Sequence, residues 1–229
     1  MSNNYEKCFE KHSFEELNNI DYEIHQHAMK YILNKFRMNK QTIETLHIFD
    51  VGCNSGSFVK GLNTFGITKN IHCFEPHPVL SKKTKEVYPY IKMNEICLSN
   101  NDKNITLNIP TWSVGLSSVI DRPVFSDLKE KGQEINRLEV QCKTIDQYCQ
   151  ENDVKNIFFM KVDVEGAEKM VFEGAKNMLE KKKILSGLFE IGETLKDANT
   201  SETEICNLLE SYGYKIVKNV FKNDFIFHL

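Results

Sequence analysis

Four short apolar runs in this chain each end on a polar residue and give way to something else. Ile48-Phe49 stops at Asp50, Ile71–Phe74 at Glu75, the run 94–98 at Ser99, and the run 157–160 leads through Lys161 and Val162 to Asp163. Apolar runs this short, bounded by turn residues, read as buried strands. After the first, Phe58, Leu62 and Phe65 recur at helical spacing; after the second, Val79, Leu80, Thr84 and Val87 do the same. Strand and helix in alternation predict a parallel sheet with crossover helices. Parallel neighbours need a connection long enough to hold a helix, whereas antiparallel ones can be joined by a tight turn.

The flanking segments extend this frame. Residues 1–46 read as a polar tail followed by an amphipathic helix, opened by a capping box at Ser13 and Glu16 and carrying Leu17, Ile20, Ile24, Ala28 and Tyr31. Residues 47–229 read as one α/β domain. Within it, 101–143 breaks the rhythm. Strand-like 105–109, the loop Trp112-Ser-Val-Gly-Leu-Ser-Ser118 and strand-like 138–142 predict an insertion, partly hairpin, near the substrate side of the sheet. Thr144 and Gln147 form a second capping box. Ala167, Met170, Val171, Ala175, Met178 and Leu179 predict one continuous helix. A strand follows over 185–191, with Glu190 near its end. Ser201 and Glu204 cap a helix that Gly213 stops. Two closing strands, 215–221 and 225–229, are expected as an antiparallel pair.

Composition narrows the functional classes. A chain of 229 residues with 41% hydrophobic and 27% charged content can bury a core without disulfide staples. A net charge of −3 supplies no field for nucleic acid or an anionic membrane, so neither is an expected partner. No apolar run approaches the roughly 20 residues that span a bilayer, and the polar N-terminus lacks the core of a signal peptide. The seven cysteines are odd in number and form no C-x-x-C. They read as small buried hydrophobes in a reducing, cytoplasmic compartment. No zinc spacing is present, and no resident metal is expected. Asp163, Glu165 and Glu190 would permit Mg²⁺ without demanding it. His25 and His27 lack ligand partners and read as surface or packing residues.

In an open parallel sheet, ligands bind beyond the C-terminal strand ends. Asp50, Glu75, Ser99, Asp163 and Glu190 all fall there. The loop Gly52-Cys53-Asn54-Ser55-Gly56 lacks the middle glycine of a dinucleotide fingerprint. An acid at position 50 would also repel a pyrophosphate and attract an ammonium group. S-adenosyl-L-methionine carries an ammonium, a carboxylate and a sulfonium, and no phosphate. Its amine suits Asp50, directly or through water, its carboxylate the N–H groups at the helix start, and its ribose diol Glu75, about twenty residues on.

Three blocks make the chain resemble the FkbM family of S-adenosylmethionine-dependent methyltransferases. They are Phe49-Asp-Val-Gly-Cys-Asn-Ser-Gly-Ser-Phe58, Phe74-Glu-Pro-His-Pro78, and Met160-Lys-Val-Asp-Val-Glu-Gly-Ala-Glu168. The resemblance runs from about residue 47 to the C-terminus; Cys53 stands where the family commonly has alanine. It implies a Rossmann-like class I methyltransferase fold of the α/β class. That fold has a seven-stranded, mostly parallel sheet, helices on both faces and an antiparallel last strand. It implies cofactor contacts from the first block and from Glu75 and Pro76, with adenine against Cys97, Leu98 and Ser99. Asp163 is expected at the cofactor as well. It further implies O-methylation of a hydroxyl on a sugar, glycoconjugate or other small molecule. A hydroxyl acceptor needs a general base. Asp163, Glu165 and Glu190 are the candidates, with Lys161 placed to pair with one of them. An NAD-linked oxidoreductase and a non-catalytic nucleoside-binding module are the competing readings. The oligomeric state is not legible.

Overall fold

The structure, a computed structural model, describes residues 22–35, 45–123, 125, 132, 134–218 and 224–229. The expected N-terminal tail, the capping box at Ser13 and Glu16, and Cys8 lie outside the described residues.

Seven strands form the main sheet: β1 His47–Val51, β2 Ile71–Phe74, β3 Lys92–Asn94, β8 Ile157–Val162, β9 Ile184–Glu190, β10 Lys215–Lys218 and β11 Asp224–His228. Their order is β10-β11-β9-β8-β1-β2-β3. β11 alone runs against its neighbours, and β1, β2, β3, β8 and β9 are joined in parallel. The chain leaves β1 toward β2 and β3, then returns to β8 on the other side of β1. The cleft of such a sheet opens where the winding reverses, which here is above β1 and β8.

Both faces of the sheet are covered, as strands of continuous apolar character require. On one side, helices α1 Tyr22–Lys35 and α2 Ser57–Thr64 pack over Ile48, Phe159 and Leu188. His25 of α1 meets Phe58 edge-on at 5.4 Å, and His27 is exposed. On the other side lie α4 Ile145–Glu151, α5 Glu168–Glu173, α6 Lys176–Glu180 and α7 Glu202–Ser211, over Phe49, Val51 and Phe189. Ile48 and Phe49 are adjacent in sequence yet serve opposite layers, the period-two alternation of a strand. Each fully buried phenylalanine, Phe49 among them, contributes about 1.5–3 kcal/mol. Helix α3, Pro78–Val87, follows β2 with Pro78 at its first turn. The expected caps are present: Thr144 Oγ1 accepts from the Gln147 amide at 3.0 Å, and Ser201 and Glu204 form a reciprocal box.

Three expectations need correction. The run 94–98 is not one strand. The Asn94 carbonyl takes the Glu75 amide as the last rung of the sheet, and the chain leaves. β4, Cys97–Leu98, then pairs in parallel with β7, Cys142–Lys143, as a separate two-stranded sheet. The strand expected over 138–142 likewise divides. β6, Ile135–Val140, forms a hairpin with β5, Ile105–Pro110, and β7 follows it. The helix expected from Ala167 to Leu179 is two helices, α5 and α6. A side chain on Gly174 would put its Cβ 2.0 Å from the Ser99 carbonyl oxygen, so two backbones touch there. Asp146 then accepts from the Asn177 and Met178 amides at 2.8 and 3.0 Å, capping α6 afresh. Of the closing strands, 215–218 and 224–228 pair as expected, and 219–223 lies outside the described residues.

Candidate functional site

Above the C-terminal ends of β1 and β8, the chain turns sharply at Gly52. Its φ is +75°, and a Cβ there would stand 1.9 Å from the Asp163 carbonyl oxygen. Only glycine permits both the left-handed backbone and this approach. The two strand-end loops are thereby locked together, and the Asp163 amide donates to the Val51 carbonyl at 3.1 Å.

Beneath them sits a buried cation. The Lys161 ammonium donates to the Gly52 carbonyl at 2.9 Å, pairs with Asp163 at 3.0 Å, and lies 3.6 Å from Asp50. Desolvation opposes the charge on Lys161, but Asp163 and Asp50 outweigh it and hold the ammonium well above the ordinary lysine value. Burial pushes Asp50 up to about 6 against the pull of Lys161. Asp50 is fully buried and does not line the cleft. Even-numbered positions of β1 point away from the cleft layer, which sets Asp50 behind the wall. Neither of its carboxylate oxygens has a hydrogen-bond partner among the described residues.

Glu75 holds the next corner. One carboxylate oxygen accepts the Asn54 amide at 2.8 Å, the other the His77 amide at 2.9 Å. Burial pushes it up to about 7 despite these donors. An ionised carboxylate offers about four acceptor sites, so each oxygen retains capacity. His77 is buried and caps α3, its Nδ1 accepting from the Val79 amide at 3.2 Å. Asn54 lines the cleft in a left-handed conformation (φ 48°), and its side-chain oxygen is buried with no hydrogen-bond partner among the described residues.

The acidic loop after β8 is strained and braced. Glu165 adopts φ 54° and Gly166 φ 105°. Glu168, at the start of α5, accepts the Val164 and Gly166 amides at 3.1 and 3.2 Å through one oxygen. From above, the Ser118 hydroxyl donates to the Glu165 carbonyl at 2.7 Å. Burial pushes Glu165 up to about 8, with Asp163, Glu190 and Glu168 adding to the rise and Arg122 opposing it. Burial likewise takes Glu168 up to about 7. Arg122 is itself anchored by Asp197 at 3.0 Å.

These elements enclose a cleft of about 680 Å³, counting its open mouth. Among the expected site residues, Gly52, Asn54, Glu75, Pro76, Cys97, Leu98, Asp163 and Glu165 line it. Lys161, Cys53, Ser55, Gly56, Ser99 and Glu190 do not. Lys161, Cys53, Ser55 and Ser99 are buried behind the wall, Gly56 opens α2, and Glu190 ends β9 opposite Asp224. Leu107, Val114, Ser117 and Val119 also line the cleft. Asp50, Cys53 and Cys73 bring three ligand-type atoms within 4.8 Å of one another. The Lys161 ammonium beside Asp50 opposes a second cation there. Sequence reasoning missed Glu168 and Ser118 as braces. The glutamate was visible in the third block, but its two N–H partners depend on a loop conformation that spacing does not encode.

The Methyltransferase FkbM domain model matches residues 50–216, a span that contains all of the three blocks but Phe49, and every residue that lines this cleft. The chain belongs to the FkbM methyltransferase family. It is thus an S-adenosylmethionine-dependent methyltransferase, with the mostly parallel seven-stranded sheet expected of one. A relative in this family's range is the 2-O-methyltransferase NoeI of Sinorhizobium fredii (strain NBRC 101917 / NGR234). It is 22% identical over 167 residues, covering 66% of this chain and 68% of that protein. Among solved structures, a TehB-like SAM-dependent methyltransferase from Corynebacterium glutamicum ATCC 13032 Kitasato matches with a TM-score of 0.39 and 11% identity. The match covers 80% of this chain and 78% of that one. Among the described residues of this FkbM methyltransferase, no helix is long and apolar enough to cross a membrane.

Proposed function

We propose that this FkbM methyltransferase holds S-adenosylmethionine between Asn54, Glu75, Leu98 and Asp163 and methylates a hydroxyl of a sugar, glycoconjugate or related small molecule. The observation that carries the reading is that Glu75 and Asp163 share the wall of one cleft. The residues suit the cofactor end to end. Glu75 retains acceptor sites for a ribose diol. The buried side-chain oxygen of Asn54, which has no partner among the described residues, suits an ammonium group, with the unpartnered Asp50 carboxylate behind it. Phe74, Leu80, Ile96, Cys97 and Leu98 offer an apolar slot for adenine.

When bound, S-adenosylmethionine supplies a methyl carbon made electrophilic by its sulfonium. The chain must orient the acceptor oxygen and receive its proton. Asp163 is the group for the second task. Its side chain is 27% exposed, lines the cleft and is steadied by Lys161 at 3.0 Å. Glu165, pushed up to about 8, carries its proton at neutral pH and serves as a hydrogen-bond donor to the acceptor. Glu190 stands off the cleft wall and has no direct part. The hydroxyl assignment draws support from the relative named a 2-O-methyltransferase, and from acids rather than apolar side chains at the Asp163 end.

Calorimetry tests the cofactor. S-adenosylmethionine and its demethylated product are expected to bind and NADH is not; the reverse would overturn the reading. Labelled methyl donor with a panel of glycans and small alcohols, read by product mass, tests the acceptor. Transfer only to amines would exclude the hydroxyl class. Asp163→Asn is expected to keep cofactor binding and lose turnover.

A further inference from the structure

Cys97 and Cys142 are register partners on the short parallel strands β4 and β7. Adjacent strands lie about 4.8 Å apart, which places paired Cα atoms inside the roughly 4.4–6.8 Å that a disulfide accepts. The two thiols interact closely enough to shift each other's titration in opposite directions. They differ in access. Cys97 lines the cleft, whereas Cys142 lies behind it and is 1% exposed. The neighbouring Cys142, together with burial, pushes Cys97 well up, and the neighbouring Cys97 draws Cys142 below the ordinary thiol value. A single sulfur of the pair therefore faces space that a small molecule can enter. The other adjacent pair differs: Cys53 and Cys73 are 2% and 0% exposed and neither lines the cleft.

We propose that Cys97 and Cys142 form a reversible dithiol–disulfide site in the cleft wall, oxidised by small aliphatic disulfides and shielded when a nucleoside occupies the cleft. In the first step the Cys97 proton passes to the Cys142 sulfur, and the Cys97 thiolate so formed attacks one sulfur of the external disulfide. That S–S bond breaks, one thiolate leaves, and a mixed disulfide forms on Cys97. Cys142 then attacks the Cys97 sulfur and expels the second thiolate. The two protein protons end on the two released thiols, the protein pair gives up two electrons, and the reagent takes them. Closure draws the sulfurs to about 2.05 Å and carries the Cys97 sulfur away from the slot assigned to adenine. Shielding rests on the nucleoside reading of the cleft; the dithiol itself does not.

The test treats the intact protein with hydroxyethyl disulfide and maps products by peptide mass. A linked Cys97–Cys142 peptide that a reductant reverses is expected. Cys142→Ser should retain the adduct on Cys97, and Cys97→Ser should leave Cys142 unmodified. S-adenosylhomocysteine at ten times its Kd should slow linkage about tenfold by mass action. Absence of the linked peptide, or an adduct spread equally onto Cys206, overturns the proposal. So does full-speed linkage in protein that calorimetry shows to be saturated with S-adenosylhomocysteine. If that nucleoside fails to bind at all, the cleft reading falls, while a linked peptide still upholds the thiol pair.

Discussion

The ammonium of Lys161 sits 3.0 Å from the carboxylate of Asp163, two residues further along the same strand end. Lys161 is buried and Asp163 reaches the cleft, so a cation below the floor fixes the acid above it. Asp50 lies 3.6 Å from the same ammonium, on the neighbouring strand.

Removing the cation should therefore be costly. Lys161→Met leaves the fully buried Asp50 without a counter-ion. Breaking one side of a buried pair destabilises by about 3–5 kcal/mol. Urea denaturation is the measurement. Adding Asp50→Asn to the same chain should recover part of the loss, and an additive double variant would show that the two groups do not interact.

Glu168 braces the strained turn at Glu165. Glu168→Leu strands the Val164 and Gly166 amides, each at about 1–3 kcal/mol when buried and unsatisfied. Glu168→Gln keeps a carbonyl acceptor and should retain most of the stability. Turnover should follow the same order, with cofactor affinity changed less than kcat. Equal kcat in the leucine variant would remove Glu168 from any positioning role.

Cofactor binding should strengthen with pH through neutrality. Glu75 sits at about 7 in the unliganded protein, so part of it is protonated there. Ribose hydroxyls donate to the ionised form and lower that value. The complex then binds fewer protons than the free protein, and affinity rises as pH goes from 6 to 8. Calorimetry in buffers of different ionisation enthalpy would register the released proton. In Glu75→Gln the pH dependence should flatten and the binding weaken by about 1–3 kcal/mol, as lost charge-assisted bonds predict.

A second pH effect belongs to stability and lies away from the cleft. His72 is 5% exposed, and its ring bonds to His47 at 2.8 Å and to the Tyr148 hydroxyl at 2.9 Å. Burial depresses it to about 3 from 6.5. Below pH 6.5 the unfolded chain takes up a proton that the folded one refuses, so stability falls with pH until about 3. The slope from one such group is about 1.4 kcal/mol per pH unit. His72→Phe should lose that proton's share of the slope between pH 6 and 4, whatever it does to stability at pH 8. An unchanged slope would assign the acid sensitivity to other groups.

Much of the site was legible because strand ends are legible. An apolar run that stops at Glu75 or Asp163 marks the sheet edge where ligands bind, and both residues do line the cleft. Position along a strand and side-chain direction are separate facts: one residue of offset turns a side chain to the opposite face, and Asp50 is buried behind the wall beside Lys161.

The sequence by itself determined the alternating α/β order, the helix caps at Thr144 and Ser201, and the family blocks, since periodicity and capping act over a few residues. Only the tertiary structure decided that Lys161 reaches the Gly52 carbonyl 109 residues away, that Gly174 breaks a helix against Ser99, and that Cys97 meets Cys142. Buried backbone groups and buried charges must each find a partner. Which partner they find depends on the segments that packing brings together, and local spacing carries no record of that.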